Sequence, residues 1–205
     1  MMQENEDLSA RARKTLWIYV DKTEIWHDLF EDPVFAPLDV ATSIRSFQNE
    51  IWGALRNNTL INLGSGYPSP EYLQMIQLSG VAKYVAIDLH AFKGQPATDL
   101  GLKGVQVETL TDEMLAYTLS LPNNSSNFII CGIDDASALY DGDFHKALAG
   151  VVLQKTKPGG MIFTYDSLVT SFLVNQSSLR QLYWTPRDPP PDTWGSYVFQ
   201  KVVQE

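Results

Sequence analysis

The chain has 205 residues, with 24 acids against 15 lysines and arginines and a formal charge of −9. That length suits one α/β domain with a small extension. The charge argues against broad phosphate-backbone binding, because a nucleic-acid reader presents a basic face. No apolar stretch approaches the ~20 residues that cross a bilayer, and the start MMQENEDLSA is too acidic and polar to read as a signal peptide. One cysteine, Cys131, excludes an internal disulfide framework and fits a reducing compartment. Asn57, Asn123, Asn124 and Asn175 each head an Asn-X-Ser/Thr triplet, which carries no weight without an export signal. A soluble, cytoplasmic protein is expected.

Residues 1–58 hold Trp17, Trp26 and Trp52, three of the five tryptophans. Phe47, Ile51, Trp52 and Leu55 recur at helical spacing, and Asn57-Asn58 makes a stop. EDPVFAP, residues 31–37, breaks the helices around it. A helical N-terminal cap over 1–58 is expected, its aromatics filling the interface with the domain at 59–205 or lining a substrate pocket.

From residue 59 the rhythm is strand–helix–strand. TLINLG is a short apolar strand, and Pro68 to Ser79 reads as a helix with prolines in its first turn, where no hydrogen-bonding N–H is lost. KYVAID, 83–88, is a second strand. The crossover HAFKGQPATDLGLKG, 90–104, is broken by Gly94, Pro96, Gly101 and Gly104, so its helix is expected to be short or absent. GVQVETL, 104–110, is a third strand, and Thr111-Asp112-Glu113 an N-cap with acids in the first turn. NFIICGI, 127–133, is continuously apolar, as a strand buried on both faces requires. Asp143 to Lys155 is an amphipathic helix with Phe144, Leu148, Val151 and Val152 on its stripe. KPGG then introduces GMIFTYD, a fifth strand. Such alternation means parallel strands with right-handed crossovers. RQLYWTP and GSYVFQKVV are separated only by the proline-rich RDPPPDTW, too short for a helical crossover, so these two should pair antiparallel.

In open parallel sheets ligands bind beyond the carboxyl ends of the strands, where strand order reverses. The first strand ends in Gly64-Ser65-Gly66, glycines that let the backbone take positive φ and approach a ligand. The second ends in Asp88, whose carboxylate can accept both hydroxyls of a ribose. Among other reactive side chains, Cys131 reads as a buried strand thiol. His90 reads as a loop residue or one at the edge of a bound nucleoside, and His27 and His145 as structural or exposed. Asp134 and Asp135, just past the fourth strand, are placed to serve a substrate or act as a base.

In order and spacing the chain resembles the class I S-adenosylmethionine-dependent methyltransferases. INLGSG resembles their glycine-rich first motif, VAID their acidic second, LPNNSSNFIICGI the approach to their fourth strand, and LQKTKPGGMIF the segment before their fifth. The likeness covers 59–205 and leaves the cap outside. It implies a Rossmann-like seven-stranded sheet, mostly parallel with an antiparallel C-terminal strand, and S-adenosylmethionine as cofactor. Gly64, Ser65, Gly66 and Tyr67 would then lie against the methionine part, and Asp88 on the ribose with Leu89 beside the adenine. Leu110 and Thr111 would flank the adenine ring, with Cys131 and Gly132 near the sulfonium and the catalytic acids Asp134 and Asp135 beyond them. Three positions depart from the family pattern: Tyr67-Pro68 replaces the third glycine, Asn127 the aspartate opening the fourth strand, and the second crossover is broken. Asp134 and Asp166 resemble the ligands of magnesium-dependent catechol-type relatives, but Ser167 stands where their asparagine would be, so two solvated acids and no metal are expected.

The implied activity is methyl transfer to a small-molecule acceptor held between the cap and the ends of the fourth and fifth strands. Neither nucleic acid nor membrane is an expected partner, and a homo-oligomer is left open. The alternative is a methyltransferase-like binding protein that has lost catalysis, motivated by the altered loop. A nicotinamide-dependent oxidoreductase comes third, because Pro68 and Pro70 are awkward in a loop whose N–H groups must hold a pyrophosphate.

Overall fold

The computed structural model describes residues 49–65, 76, 77, 79–89, 103–130, 141–164, 167–186 and 195–203. The chain divides into Met1–Gly53 and Ala54–Glu205, and the sheet belongs entirely to the second unit. Residues 49–55 are helical, and the helix stops where expected: Asn57 has φ 59°, a left-handed conformation that asparagine tolerates. The rest of the expected cap, most of the expected helix from Pro68 to Ser79 and the crossover through residue 102 lie outside the described residues.

Seven strands, β1 (Thr59–Leu63), β2 (Lys83–Asp88), β3 (Gln106–Thr111), β4 (Asn127–Ile130), β5 (Met161–Thr164), β6 (Leu179–Pro186) and β7 (Gly195–Lys201), form one sheet. Their order is β3-β2-β1-β4-β5-β7-β6. The first five are parallel, and β7 runs antiparallel to both β5 and β6. The mostly parallel seven-stranded sheet with its antiparallel C-terminal pair is therefore as expected. Position in the sheet decides burial: the central β4 and β5 are buried at every residue, whereas the edge strand β3 has exposed ends and half-buried middle positions.

Successive strand residues face opposite ways. Ile61, Val85, Phe128 and Ile162 line one face and pack with α1 (Met114–Ser120), α2 (Gly142–Lys155) and α3 (Ser167–Leu173) through Met114, Leu148, Val152, Val169 and Leu173. Each such side chain contributes roughly 1.5–3 kcal/mol on burial. Leu60, Tyr84, Ala86 and Ile129, offset by one residue, are among the buried positions of the other face.

Two helix details correct the sequence reading. The N-cap of α1 is Glu113 and not Thr111: its carboxylate accepts from Leu115 N at 2.9 Å and Ala116 N at 2.7 Å. Thr111 cannot cap because its pairing with Asp88 holds it in β3. In α2, capped by Asp141, the buried positions are His145, Leu148, Ala149, Val152 and Lys155, while Phe144 and Val151 are half-buried. His145 is completely buried, with Nδ1 2.7 Å from Asp141 O, so of the two fates expected for it the structural one holds. Lys155 joins the buried stripe because its ammonium reaches Leu121 O at 2.6 Å and Asn123 Oδ1 at 2.9 Å. The short α3, SLVTSFL, is an addition the sequence reading lacked.

The KPGG turn also acquires a physical reason. Gly159 sits at φ 71°, and a Cβ on Gly160 would lie 2.7 Å from Lys157 Cγ and 2.8 Å from Lys157 O. Gly159 N donates to Lys201 O and Lys201 N to Gly160 O, each at 2.9 Å, which ties the turn to β7. The Lys201 ammonium donates to Leu153 O at 2.9 Å, Thr156 O at 2.8 Å and Asn124 Oδ1 at 2.8 Å, taking up carbonyls at the end of α2. Burial lowers the pKa of this lysine.

Asn127, the departure at the start of β4, is fully buried. Its Nδ2 donates to Thr59 O at 3.2 Å and Ala54 O at 3.4 Å, and its Oδ1 accepts from Met161 N at 2.9 Å. One amide thus joins the start of β1 to the start of β5. A carboxylate could accept but not donate there.

Candidate functional site

The register brings the carboxyl ends of the parallel strands level: Leu63 pairs with Ile87 and with Ile130, and Ile87 with Leu110. Strand order reverses between β1 and β4, so the end of β1 is the switch point. There the chain leaves β1 through Gly64 at φ 71°, a conformation glycine adopts at little cost. It turns toward β2, and Gly64 N and Ser65 N both donate to Ile87 O, at 3.0 and 3.1 Å. The next residue of β2 is Asp88, half-buried and paired in register with Thr111. Leu89 and Leu110 are half-buried beside it and Thr111 is exposed.

Six expected site residues, Gly64, Ser65, Asp88, Leu89, Leu110 and Thr111, are therefore gathered at one end of β1, β2 and β3. Gly66, Tyr67, Cys131, Gly132, Asp134 and Asp135 lie outside the described residues, as do His90 and Asp166. Among the described residues no group of three or more His, Cys, Asp or Glu could hold a metal, and no helix is long and apolar enough to cross a membrane.

The donor set has a definite chemical bias. Two amides that could have met a phosphate are engaged by Ile87 O, and the nearby charge is a carboxylate, which repels anions and accepts from hydroxyls. Such a site suits hydroxyl donors better than an anion; of the two nearby leucines, Leu110 also packs against the core. Sequence reasoning missed the polar pair beneath it. Asn62 Nδ2 donates to Tyr84 OH at 3.0 Å, both residues buried, linking β1 to β2. The signal was present as an asparagine inside the apolar run TLINL. Farther along β3, Lys83 pairs with Glu108 at 2.6 Å. The Tyr117 hydroxyl has its pKa raised, by burial first and then by Glu108 and Asp112.

No protein-family model matches the chain, and no curated protein does. Solved structures do. An rRNA methylase from Streptococcus thermophilus shares 14% identity over 78% of this chain and 95% of its own, with a TM-score of 0.53. A protein from Streptococcus mutans, assigned as a methyltransferase and solved in complex with SAH, shares 14% over 77% of this chain and 96% of its own, at 0.54. The N-methyltransferase NodS from Bradyrhizobium japonicum shares 8% over 78% and 94%, also at 0.54. At such identities the likeness concerns architecture: this chain shares the fold of these methyltransferase structures, the seven-stranded sheet that the motif resemblance implied.

Proposed function

We propose that this chain is an S-adenosylmethionine-dependent methyltransferase acting on a small-molecule acceptor. The observation that carries the reading is Asp88 at the end of β2, beside a β1 turn whose amides are already engaged. In this reading the Asp88 carboxylate accepts the ribose hydroxyls, and Leu89, Leu110 and Thr111 border the adenine. Gly64 and Ser65, continued by Gly66 and Tyr67, run along the methionine part. Cys131 and Gly132 border the sulfonium, and Asp134 and Asp135 serve the acceptor as positioning groups or base. When bound, the cofactor supplies an electrophilic methyl group, so the chain's own contribution is mostly alignment of the acceptor, a term able to supply much of a rate enhancement.

A cap at 1–58 and a cofactor domain at 59–205 are the proposed division of the chain. A formal charge of −9 favours a small acceptor over a polyanion, and the single cysteine suits a cytoplasmic setting. Calorimetry with S-adenosylmethionine tests the reading. Asp88→Ala is expected to weaken binding on the order of tenfold or more, the value of losing hydrogen bonds to a charged group. No binding by the unaltered protein at about millimolar cofactor would overturn the assignment, and unchanged binding by Asp88→Ala would remove the ribose role.

A further inference from the structure

We infer that Gly64 and Ser65 act on a bound nucleoside through Asp88, as positioning residues that set the direction of its carboxylate. This inference rests on the cofactor reading above and adds a coupling to it: the glycine turn and the acidic strand end form one mechanical unit.

The argument begins with the Ile87 carbonyl. It lies in the same planar peptide unit as the amide nitrogen of Asp88, so whatever fixes one fixes the other. Two N–H groups, from Gly64 at 3.0 Å and Ser65 at 3.1 Å, converge on that oxygen. On its other side Asp88 is held in register against Thr111 of β3. Below, the buried Asn62–Tyr84 hydrogen bond at 3.0 Å opposes slippage of β1 along β2. The peptide that carries Asp88 is thus clamped from both neighbouring strands. The clamp depends on φ 71° at Gly64, which a residue with a Cβ adopts only with strain. A side chain at 64 would swing the turn off this φ, draw the Ser65 donor from Ile87 O and loosen the Asp88 peptide. The turn then has a task toward the ribose, which it would never touch.

The experiment compares S-adenosylhomocysteine with its 2′-deoxyribose analogue by calorimetry. The unaltered protein should prefer the ribose form on the order of tenfold, and Asp88→Ala should abolish the preference. Gly64→Ala is expected to reduce it severalfold. Ser65→Pro, which deletes one of the two donors and leaves Gly64 in place, should also reduce it. Thermal melts of each ligand-free variant confirm folding, and the second variant serves if the first does not fold. Should a folded variant bind both ligands more weakly by the same factor, keeping the preference intact, the turn acts only on the rest of the cofactor and the inference fails. Should the unaltered protein bind neither ligand or show no preference, the cofactor reading itself fails.

Discussion

Changing Asn127 to Asp replaces one NH2 group by an oxygen and almost nothing else, yet it should be among the most damaging single changes in the sheet. The acceptor toward Met161 N survives, but Thr59 O and Ala54 O, now 3.2 and 3.4 Å from a donor, would face a second carboxylate oxygen. Stranding buried acceptors costs about 1–3 kcal/mol. The side chain is fully buried, so its ionised form is penalised further: each unit by which its pKa rises above about 3.9 costs about 1.4 kcal/mol near neutrality. A rise of roughly two units brings the total to about 4–6 kcal/mol, against typical domain stabilities of about 5–15. Urea unfolding followed by tryptophan fluorescence reads this as a midpoint lowered by about 2–3 M for an m-value of about 2 kcal/mol/M. The pH dependence has a fixed sign. With the folded pKa raised, the native state holds its proton longer than the unfolded one, so stability falls as pH climbs from about 3.9 to the raised value. The deficit should therefore be larger at about pH 8 than at about pH 5.5. A loss below about 1 kcal/mol at the higher pH, or an equal loss at both, would refute the donor role assigned to this amide.

Gly160→Ala should destabilise by about 1–3 kcal/mol, because the new methyl meets the Lys157 backbone oxygen at 2.8 Å and cannot displace it cheaply; chemical denaturation checks this. Lys201→Met removes an ammonium that serves Leu153 O, Thr156 O and Asn124 Oδ1. It should cost about 1–3 kcal/mol and raise hydrogen exchange at the end of α2 before the core. Tyr117 holds its proton above the ordinary 10.0 through burial, Glu108 and Asp112, so the native state binds more protons than the unfolded one above that pH and stability falls with further alkalinity. Tyr117→Phe should flatten that fall in urea titrations on either side of about pH 10.

The strands were legible because central parallel strands must be apolar throughout: KYVAID and the start of NFIICGI matched β2 and β4 without adjustment. The antiparallel pair followed from the shortness of RDPPPDTW. Less legible were features that depend on long-range partners. Thr111 looked like a cap until pairing with Asp88 kept it extended. Lys155 was not among the stripe residues read from the sequence, because no local pattern shows that Leu121 O and Asn123 await its ammonium. At the site, Gly64 and Asp88 could be paired by spacing alone, but the double donation onto Ile87 O that joins them is a matter of three-dimensional register. Asn127 read as a departure from a family pattern, whereas its geometry makes it a donor and acceptor bridging three segments.

The order β5-β7-β6 has a consequence for how the chain is made. β6 is synthesised before β7, yet pairs with nothing in the sheet except β7. While a ribosome is still adding residues 195–201, β5 has an open hydrogen-bonding edge and β6 has no place to attach. The sheet closes only when the last strand slides between them, and the Lys201 ammonium then fastens that strand to α2. Vectorial folding from the N-terminus therefore leaves the β5 edge unpaired until β7 is made. Pausing or premature termination in this stretch would release a five-stranded parallel intermediate prone to edge-to-edge association.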